Sequence, residues 1–307
     1  MLNKKIAFLN QNKQGSQGQF SVYHGPKQFF NHDNLEDIET FDPDIIFIQK
    51  GNGFNLKILQ TFFKDRKTVH WYGDYRKPFE EFTEQLIQMC DLNLFTWREP
   101  SVFEEIKRKY NKDILFVTQG MNPEMFYPMK DIEKIYDVSF AGNYYGRDFG
   151  ESHVRIEMIE YLRGHDINLC VAGQGYPKDF DTIGRKGYDK LNKIYNQSKV
   201  TIGLSNADFK SRGVEYATSD RLWHCMAVGV PHINYRCLKI EELFDDGYLQ
   251  ADSFEEMKDM ILALLDDPQE RDRIGRIQRE QILKYNTHEK AWQRIENIII
   301  NFFYNEH

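Results

Sequence analysis

The sequence has little cysteine and proline, and it has no long apolar run. Its 307 residues include only four cysteines and nine prolines, and the cysteines lack the short spacings of metal sites. Such scattered cysteines are typical of a reducing cytosol, and Cys170, inside an apolar run, is predicted to be a buried small hydrophobe. The first apolar run, residues 6–9, is too short for a secretory signal, and no stretch approaches membrane-spanning length. We therefore expect a cytoplasmic protein without a membrane span.

Several motifs of nucleotide and metal chemistry are also missing. No Gly-Lys-Ser or Gly-Lys-Thr follows a glycine-rich loop, which argues against hydrolysis of nucleoside triphosphates. The histidine pattern of zinc proteases and paired cysteines are absent as well, so no metal ion is predicted. The net charge of −7 gives no general reason to expect a polyanionic partner, although binding depends on local patches.

What the sequence does have is a repeated alternation of strand-length apolar runs and helical stretches. Apolar residues make up 41% and aromatic residues 14% of the chain, which is ample for packed cores. Strands are predicted at residues 6–9, 45–48, 69–72, 92–95 and 114–117, and, after a linker at 120–131, at 138–141, 169–172, 200–204 and 230–234. Helices are predicted at 79–89, 102–110, 152–163, 188–197 and 253–265, with one opening at Asp267 and one over the tail. This alternation predicts an α/β protein with two successive Rossmann-like halves and a cleft between them.

The predicted domain boundaries follow from the linker and the tail. Residues 1–128 form an N-terminal Rossmann-like domain and residues 129–285 a C-terminal one. Residues 286–307 form a last helix with an apolar stripe.

Segment 219–231 is predicted to be a short helix between two strands. Ser219 or Asp220 can cap its start, and Arg221 and His224 lie three residues apart on one face. In an α/β sheet a polar helix start at this place lies at the carboxyl edge, where nucleotides usually bind. The alternative is an ordinary capped helix whose Arg221 and His224 face water.

The second half resembles the GT-B glycosyltransferases, and among them the CgeB/YkvP spore-protein-like group. The resemblance covers roughly residues 120–286 and depends on the shared order of several segments. These segments are 119–128, 136–148 with its Gly-Asn-Tyr-Tyr-Gly-Arg turn, 169–175 ending in Ala-Gly-Gln-Gly, 195–204, 221–231 and 243–247.

The resemblance implies the GT-B fold, in which the last helix crosses back to the N-terminal domain. It also implies a metal-independent enzyme that moves a sugar from a nucleotide-sugar co-substrate to an acceptor hydroxyl. The co-substrate that the resemblance favours most is a UDP-hexose. The donor would bind the second half and the acceptor, which is not identified, the first. His224 stands where many members have a Glu that holds the donor ribose, and a histidine can both donate and accept hydrogen bonds. Tyr216 occupies the earlier place where retaining members have a second Glu.

Donor-binding candidates lie at the carboxyl ends of the predicted strands in the second half. Arg147 and Arg221 would neutralise the leaving diphosphate, because a guanidinium meets phosphate oxygens two at a time. The alternative is that each pairs with the adjacent Asp148 or Asp220. Tyr188 can stack on a base or belong to the core. Further donor-binding candidates, some through backbone amides that face the cleft, are Gly142, Asn143, Tyr144, Gly173, Gln174, Ser219 and His224.

The first half offers Asp74 as the catalytic candidate. Asp74 follows a strand and a glycine, so its carboxylate could accept the acceptor proton as a general base; the alternative is a turn residue that bonds nearby amides. The loop 10–19 resembles the first β–α loop of GT-B proteins, which approaches the reaction centre. The acceptor and cleft candidates are Tyr72, Gly15, Ser16 and Gly18.

Two other functions remain open. A phage-type enzyme that glycosylates a modified base in DNA would use a basic cluster in the first half, although a solvated helix face explains the cluster as well. The cluster consists of Lys107, Arg108, Lys109 and Lys112. A catalytically silent nucleotide-sugar-binding or spore structural protein is the second alternative, because His224 replaces the expected Glu.

Overall fold

A computed structural model gives the structure of this chain. It describes residues 2–10, 20–51, 53–76, 78–146, 152–205 and 207–305. The chain divides into two compact units. Unit 1 comprises residues 1–120 and 288–307, and unit 2 comprises residues 121–287.

Strands and helices alternate along both units. The strands are β1 (Ile6–Leu9), β2 (Lys27–Phe30), β3 (Ile45–Gln49), β4 (Lys67–Tyr72), β5 (Leu92–Phe95), β6 (Ile114–Phe116), β7 (Tyr136–Ala141), β8 (Leu169–Ala172), β9 (Ser198–Gly203), β10 (His232–Tyr235) and β11 (Leu249–Ala251). The α-helices are α1 (Ile38–Phe41), α2 (Leu56–Phe63), α3 (Glu81–Met89), α4 (Pro100–Tyr110), α5 (His153–Arg163), α6 (Tyr188–Asn196), α7 (Arg221–Ala227), α8 (Phe254–Asp266), α9 (Pro268–Tyr285) and α10 (His288–Phe303). Two 3-10 helices span His32–Asp37 and Ile240–Leu243.

Unit 1 is built on a parallel sheet with the strand order β2-β1-β3-β4-β5-β6. Each face of this sheet carries its own apolar core, as is usual for a fully parallel sheet. Helix α10 buries Trp292, Ile295 and Ile299 in one of these cores, with the Trp292 ring 5.6 Å from that of Phe8. The last helix therefore returns to the N-terminal unit, as expected.

Unit 2 is built on a second parallel sheet with the order β11-β10-β9-β7-β8. Helix α7 packs on one face through Leu222, Trp223 and Met226. Helices α5 and α8 pack on the other, where Met158 and Met257 are fully buried. Two Rossmann-like units with these sheets confirm the predicted α/β fold class.

The elements that the sequence analysis missed are short and peripheral. Strands β2 and β11 have four and three residues, and each lies at the edge of its sheet. An edge strand has a neighbouring strand on one side only and is partly exposed on the other. Its sequence therefore need not be a continuous apolar run. The helix starts were predicted more successfully: the Ser253 side chain caps α8, and Asp267 caps α9 just before Pro268.

The division between the units also differs from the predicted boundaries at 128 and 285. Residues just after 120 bond to unit 2: Met121 N donates to Asn286 O at 2.9 Å, and Tyr127 N donates to Asn192 Oδ1 at 3.1 Å. The stretch expected to be a linker therefore belongs to unit 2 from Met121 onward.

Candidate functional site

Two arginines meet at the carboxyl edge of the sheet in unit 2. Arg155 lies in the first turn of α5 and Arg221 is the first residue of α7. Strands β7 and β9 end beside them, at Ala141 and just before Leu204. Because all strands of this sheet run in parallel, the polar side chains that follow them gather at this edge.

The Arg221 side chain points into the protein and not into water. Only 8% of the residue is exposed, its Nε donates to Ala141 O, and its Nη1 donates to Leu204 O at 3.3 Å. The guanidinium lies 4.5 Å from the centre of the Phe140 ring. A Cβ atom on Gly142 would come within 2.8 Å of Arg221 Nη2, so the glycine leaves space for the guanidinium. The expected side-chain cap of this helix is absent: Asp220 is the N-cap residue and makes no capping hydrogen bond.

Arg155 was not predicted from the sequence. It is 4% exposed, and its Nε and Nη2 both donate to Leu204 O, at 3.2 and 3.0 Å, while Nη1 donates to Asn143 O. Arg155 lies three and four residues before the buried Met158 and Ile159. The sequence therefore contained one indication of a buried arginine here, namely a charged residue on the apolar stripe of a helix.

The two guanidinium groups, called the arginine pair below, have no anionic partner among the described residues. Their hydrogen bonds go to backbone carbonyl oxygens, and no carboxylate in the described ranges lies within ion-pair distance of either. Burial lowers the pKa of Arg155 to about 9, and the positive charge of Arg221 lowers it further in the same direction. Arg155 thus keeps its positive charge at neutral pH. Because uncompensated buried charges are costly, this arrangement favours binding of an anion.

The loops after β7 and β8 pair with each other, which changes the expected role of their amides. The amides of Gly142, Gly173 and Gln174 were expected to face the cleft, but all three donate to protein acceptors, and so does the amide of Tyr144. The bonds run from Gly142 N to Ala172 O (2.8 Å), Tyr144 N to Gln174 O (2.9 Å), Gly173 N to Gly184 O (3.1 Å) and Gln174 N to Asn143 Oδ1 (3.1 Å). A Cβ on Gly173 would collide with the carbonyl of Gly142, so close packing of the loops requires this glycine. The Tyr144 ring stacks on Tyr176 at 5.8 Å.

His224 and Tyr188 are brought together in a ring cluster with Phe126. The His224 imidazole stacks on Phe126 with the ring centres 4.0 Å apart and the planes 12° apart. Tyr188 meets His224 edge-on at 5.5 Å and remains 42% exposed, so it is not a core residue. Burial, followed by the charge of Asp220, raises the pKa of Tyr188. Ser219 lies half-buried at the start of α7, where its carbonyl accepts from Leu222 N.

Two histidines are buried in the neutral form, one in each unit. His232 lies in β10; its Nδ1 is 2.9 Å from Thr201 Oγ1 and its Nε2 is 3.2 Å from Asn234 Oδ1. Burial, and next the charge of Arg221, lowers the pKa of His232 to about 3. Burial lowers the pKa of His70 in β4 to about 4, although its hydrogen bond to Asn93 opposes the shift.

These histidines predict a loss of stability in mild acid. The unfolded chain takes up protons near pH 6.5, whereas the folded histidines resist protonation down to about pH 4 and 3. Each histidine should therefore lower the free energy of unfolding by about 2 kcal/mol between pH 7 and 5. Urea denaturation of the wild type and the His70→Gln variant at both pH values measures this. An equal pH dependence in the two proteins would contradict the prediction for His70.

In unit 1, Asp74 follows β4 and is held by a lysine. Lys50 Nζ lies 2.8 Å from both carboxylate oxygens of Asp74, and Arg76 Nη2 lies 4.0 Å from one of them. Trp97 Nε1 donates to the Asp74 carbonyl at 3.2 Å. The carboxylate thus pairs with cations, and among the described residues no backbone amide donates to it as in a turn. Lys50 was missed, although a lysine before Gly51 at the end of a predicted strand is a visible signal.

Tyr72 is not a loop residue. It is the last residue of β4 and only 2% exposed, with its ring 5.3 Å from Phe95 and 6.2 Å from Phe79. Burial, and next the charge of Asp74, raises the pKa of Tyr72 to about 12. The Tyr72 side chain is therefore part of the core close to Asp74, because β4 is buried on both of its faces. Four predicted site residues lie outside the described residues: Gly15, Ser16, Gly18 and Arg147.

Two of the four cations in the basic cluster of unit 1 pair with carboxylates, and a third donates to a backbone carbonyl. Lys107 pairs with Asp113 at 2.6 Å, and Lys109 lies 3.8 Å from Glu84. Lys112 donates to Cys90 O at 2.8 Å. These contacts support the interpretation as a solvated helix face and do not favour a nucleic-acid surface.

In the described ranges, no group of three or more His, Cys, Asp and Glu side chains is placed to hold a metal ion. The sequence contains two Asp-x-Asp triplets, at 42–44 and 179–181, and both bind protein partners: Asp44 accepts from Lys5 N, and Asp181 pairs with Arg163. No described helix has the length and apolar character needed to cross a bilayer. All four cysteines are buried and free.

Comparisons with known proteins agree with this architecture. Residues 153–297 match a family described as glycosyl transferase-like. Sucrose-phosphate synthase from Thermosynechococcus elongatus superposes with a TM-score of 0.68 at 11% identity, over 98% of this chain and 99% of that one. HepE from Anabaena in complex with UDP-glucose gives 0.68 at 11%, over 97% and 100%. The DNA-modifying enzyme β-glucosyltransferase, solved with and without its substrate uridine diphosphoglucose, gives 0.68 at 15%, over 97% and 99%. No curated protein sequence matches the chain.

The two parallel sheets and the returning last helix give this chain the GT-B fold of these solved structures, and its residues 153–297, slightly less than half of the chain, are similar to a glycosyl transferase-like family. The narrower likeness to the CgeB/YkvP group stays a prediction.

Proposed function

We propose that this protein transfers a sugar from a UDP-linked donor to an acceptor hydroxyl without a metal ion. Unit 2 binds the donor and unit 1 binds the acceptor. The observation that carries the proposal is the buried arginine pair, Arg155 and Arg221, at the carboxyl edge of unit 2, which has no carboxylate partner in the part of the chain that the structure describes. An anion with several oxygens fits this demand, and the diphosphate of a nucleotide sugar is such an anion.

The ring cluster supports a nucleoside next to that diphosphate. Tyr188 offers a partly exposed aromatic ring, and His224 is fixed by stacking on Phe126 three residues along α7 from Arg221. An aromatic ring can stack on a base, and an imidazole can donate to or accept from a ribose hydroxyl. The solved structures of HepE and β-glucosyltransferase contain or use UDP-glucose, which favours uridine and a hexose.

The arginine pair would stabilise the leaving group. As the bond between the anomeric carbon and the phosphate oxygen breaks, its electron pair leaves with UDP, and negative charge grows on the diphosphate. Fixed buried cations stabilise such charge without a reorganisation cost at the moment of reaction. Two guanidinium groups thereby supply the positive charge that a divalent cation supplies in other enzymes.

Asp74 is the proposed general base. The acceptor oxygen forms its bond to the anomeric carbon and loses a proton, which the carboxylate takes up. Asp74 suits this role because it follows a strand at the carboxyl edge of unit 1 and keeps 39% of its side chain exposed.

The proposal is tested by screening nucleotides and nucleotide sugars for thermal stabilisation and for release of the free nucleotide. A cognate ligand at a hundredfold excess over its dissociation constant adds about 2.7 kcal/mol to stability. UDP and one UDP-hexose should raise the melting temperature most, with CMP and GDP as controls. Failure of every nucleoside diphosphate to raise it would refute the proposal, whereas binding without any donor turnover would support the silent alternative.

A further inference from the structure

Lys50 has a backbone conformation that lysine rarely adopts. Its φ angle is 56°, in the left-handed region, directly after β3. The next residue, Gly51, has a φ of 79°, and a Cβ there would lie 2.6 Å from Leu86 Cδ1. A left-handed non-glycine residue is strained, and asparagine or glycine would relieve the strain. Of the left-handed residues in the described ranges, most are aspartate, asparagine or glycine.

The strained turn places the Lys50 ammonium on Asp74. The ammonium is 2.8 Å from Oδ1 and 2.8 Å from Oδ2, so it holds the carboxylate symmetrically. The backbone hydrogen bonding between β3 and β4 continues into this turn, because Lys50 N donates to Trp71 O at 2.8 Å. The register between β3 and β4 thus fixes where the ammonium lies.

Folding stability does not explain this arrangement. The side chains of Lys50 and Asp74 are 40% and 39% exposed, and exposed ion pairs contribute little to stability. The backbone at Lys50 costs free energy on top of that. Backbone strain that no nearby interaction offsets in free energy is typical of functional positions.

We propose that Lys50 is a positioning residue for the proposed general base Asp74, an inference that rests on the proposed function. The ammonium fixes the rotamer of the carboxylate, while Trp97 Nε1 fixes the backbone of the same residue through the Asp74 carbonyl. The oxygen lone pairs that Lys50 leaves open remain available to the acceptor hydroxyl. Arg76, 4.0 Å from one carboxylate oxygen, is a weaker second cation.

The test compares Lys50→Asn and Lys50→Arg with the wild type. Turnover is followed as release of UDP from UDP-glucose, or from whichever UDP-sugar stabilises the protein most, with water as acceptor. Lys50→Asn should lower kcat by about 10- to 100-fold, since misplacement of a reacting group has effects of this size. Its KM for the donor, its affinity for UDP and its melting temperature should not worsen. Lys50→Arg should restore part of kcat, because it keeps the cation.

The double variant with Asp74→Asn separates the possible failures. If Lys50 acts through Asp74, adding Lys50→Asn to Asp74→Asn should cause no further loss of kcat. A slow Asp74→Asn with a fully active Lys50→Asn would overturn the inference alone. A parallel fall of kcat and melting temperature in Lys50→Asn would also overturn it, in favour of a structural role. A fully active Asp74→Asn would remove Asp74 as the general base and overturn this inference with it. A wild type that releases no UDP would overturn the proposed function itself.

Discussion

Replacing Arg221 with methionine is expected to weaken UDP binding by about 100-fold. Hydrogen bonds to charged groups contribute about 1.5–3 kcal/mol each, and a diphosphate can accept two from one guanidinium. The Nη2 group of Arg221 has no acceptor in the part of the chain that the structure describes, so its hydrogen atoms are available to a ligand. Titration calorimetry with UDP measures the loss directly.

Controls for this variant use both charge and position. Arg221→Lys keeps the charge but not the planar fork and should recover only part of the affinity. Arg155→Met should weaken UDP binding in the same direction, whereas Arg108→Met on the exposed helix α4 should not. Because methionine removes a buried cation, the folded protein without ligand should not be strongly destabilised. UDP affinity within threefold of the wild type in both Arg221→Met and Arg155→Met would exclude the arginine pair as the donor site.

Asp74→Asn is expected to reduce turnover by about 10²- to 10⁴-fold while UDP affinity stays unchanged. General base catalysis contributes factors of this size, and an amide cannot accept the acceptor proton. The substitution keeps the size of the side chain, and Asp74 lies in unit 1 while the proposed donor residues lie in unit 2. Steady-state release of UDP and calorimetry on the same preparation measure both quantities.

The matched control for Asp74→Asn is Asp113→Asn. Asp113 also pairs with a lysine in unit 1, at 2.6 Å from Lys107, and is exposed. Its loss should change neither turnover nor UDP affinity. Near-normal turnover in Asp74→Asn would leave Asp74 as a partner of Lys50 and would require another base.

The fold could be predicted from the sequence wherever local pattern and tertiary packing agree. Central strands are buried on both faces, so β1 and the first four residues of β3 appear as continuous apolar runs in the sequence. The edge strands β2 and β11 are short and half-buried, and only their neighbours make them strands. Helix α2 was missed as well, because eight residues give few periods of the helical pattern.

The candidate site was less predictable, because its contacts join distant segments. The sequence indicated that Arg221 opens a helix, but not that its Nε would meet the carbonyl of Ala141, 80 residues earlier. Arg155 and Lys50 are ordinary surface residues by composition, and only the assembled sheets show what they contact. The glycine motif was noticed for its amides, whereas its space for the Arg221 guanidinium emerged from packing.

The carbonyl of Leu204 accepts hydrogen bonds from Arg155 and Arg221 together. One peptide group therefore keeps two mutually repelling guanidinium groups side by side. An anion that accepts hydrogen bonds from both groups would reduce the repulsion between them. Under the proposed function, a bound nucleotide would lower the unfolded fraction of the protein by mass action and so slow its cleavage by proteases. The empty enzyme would then be the form most readily cleared.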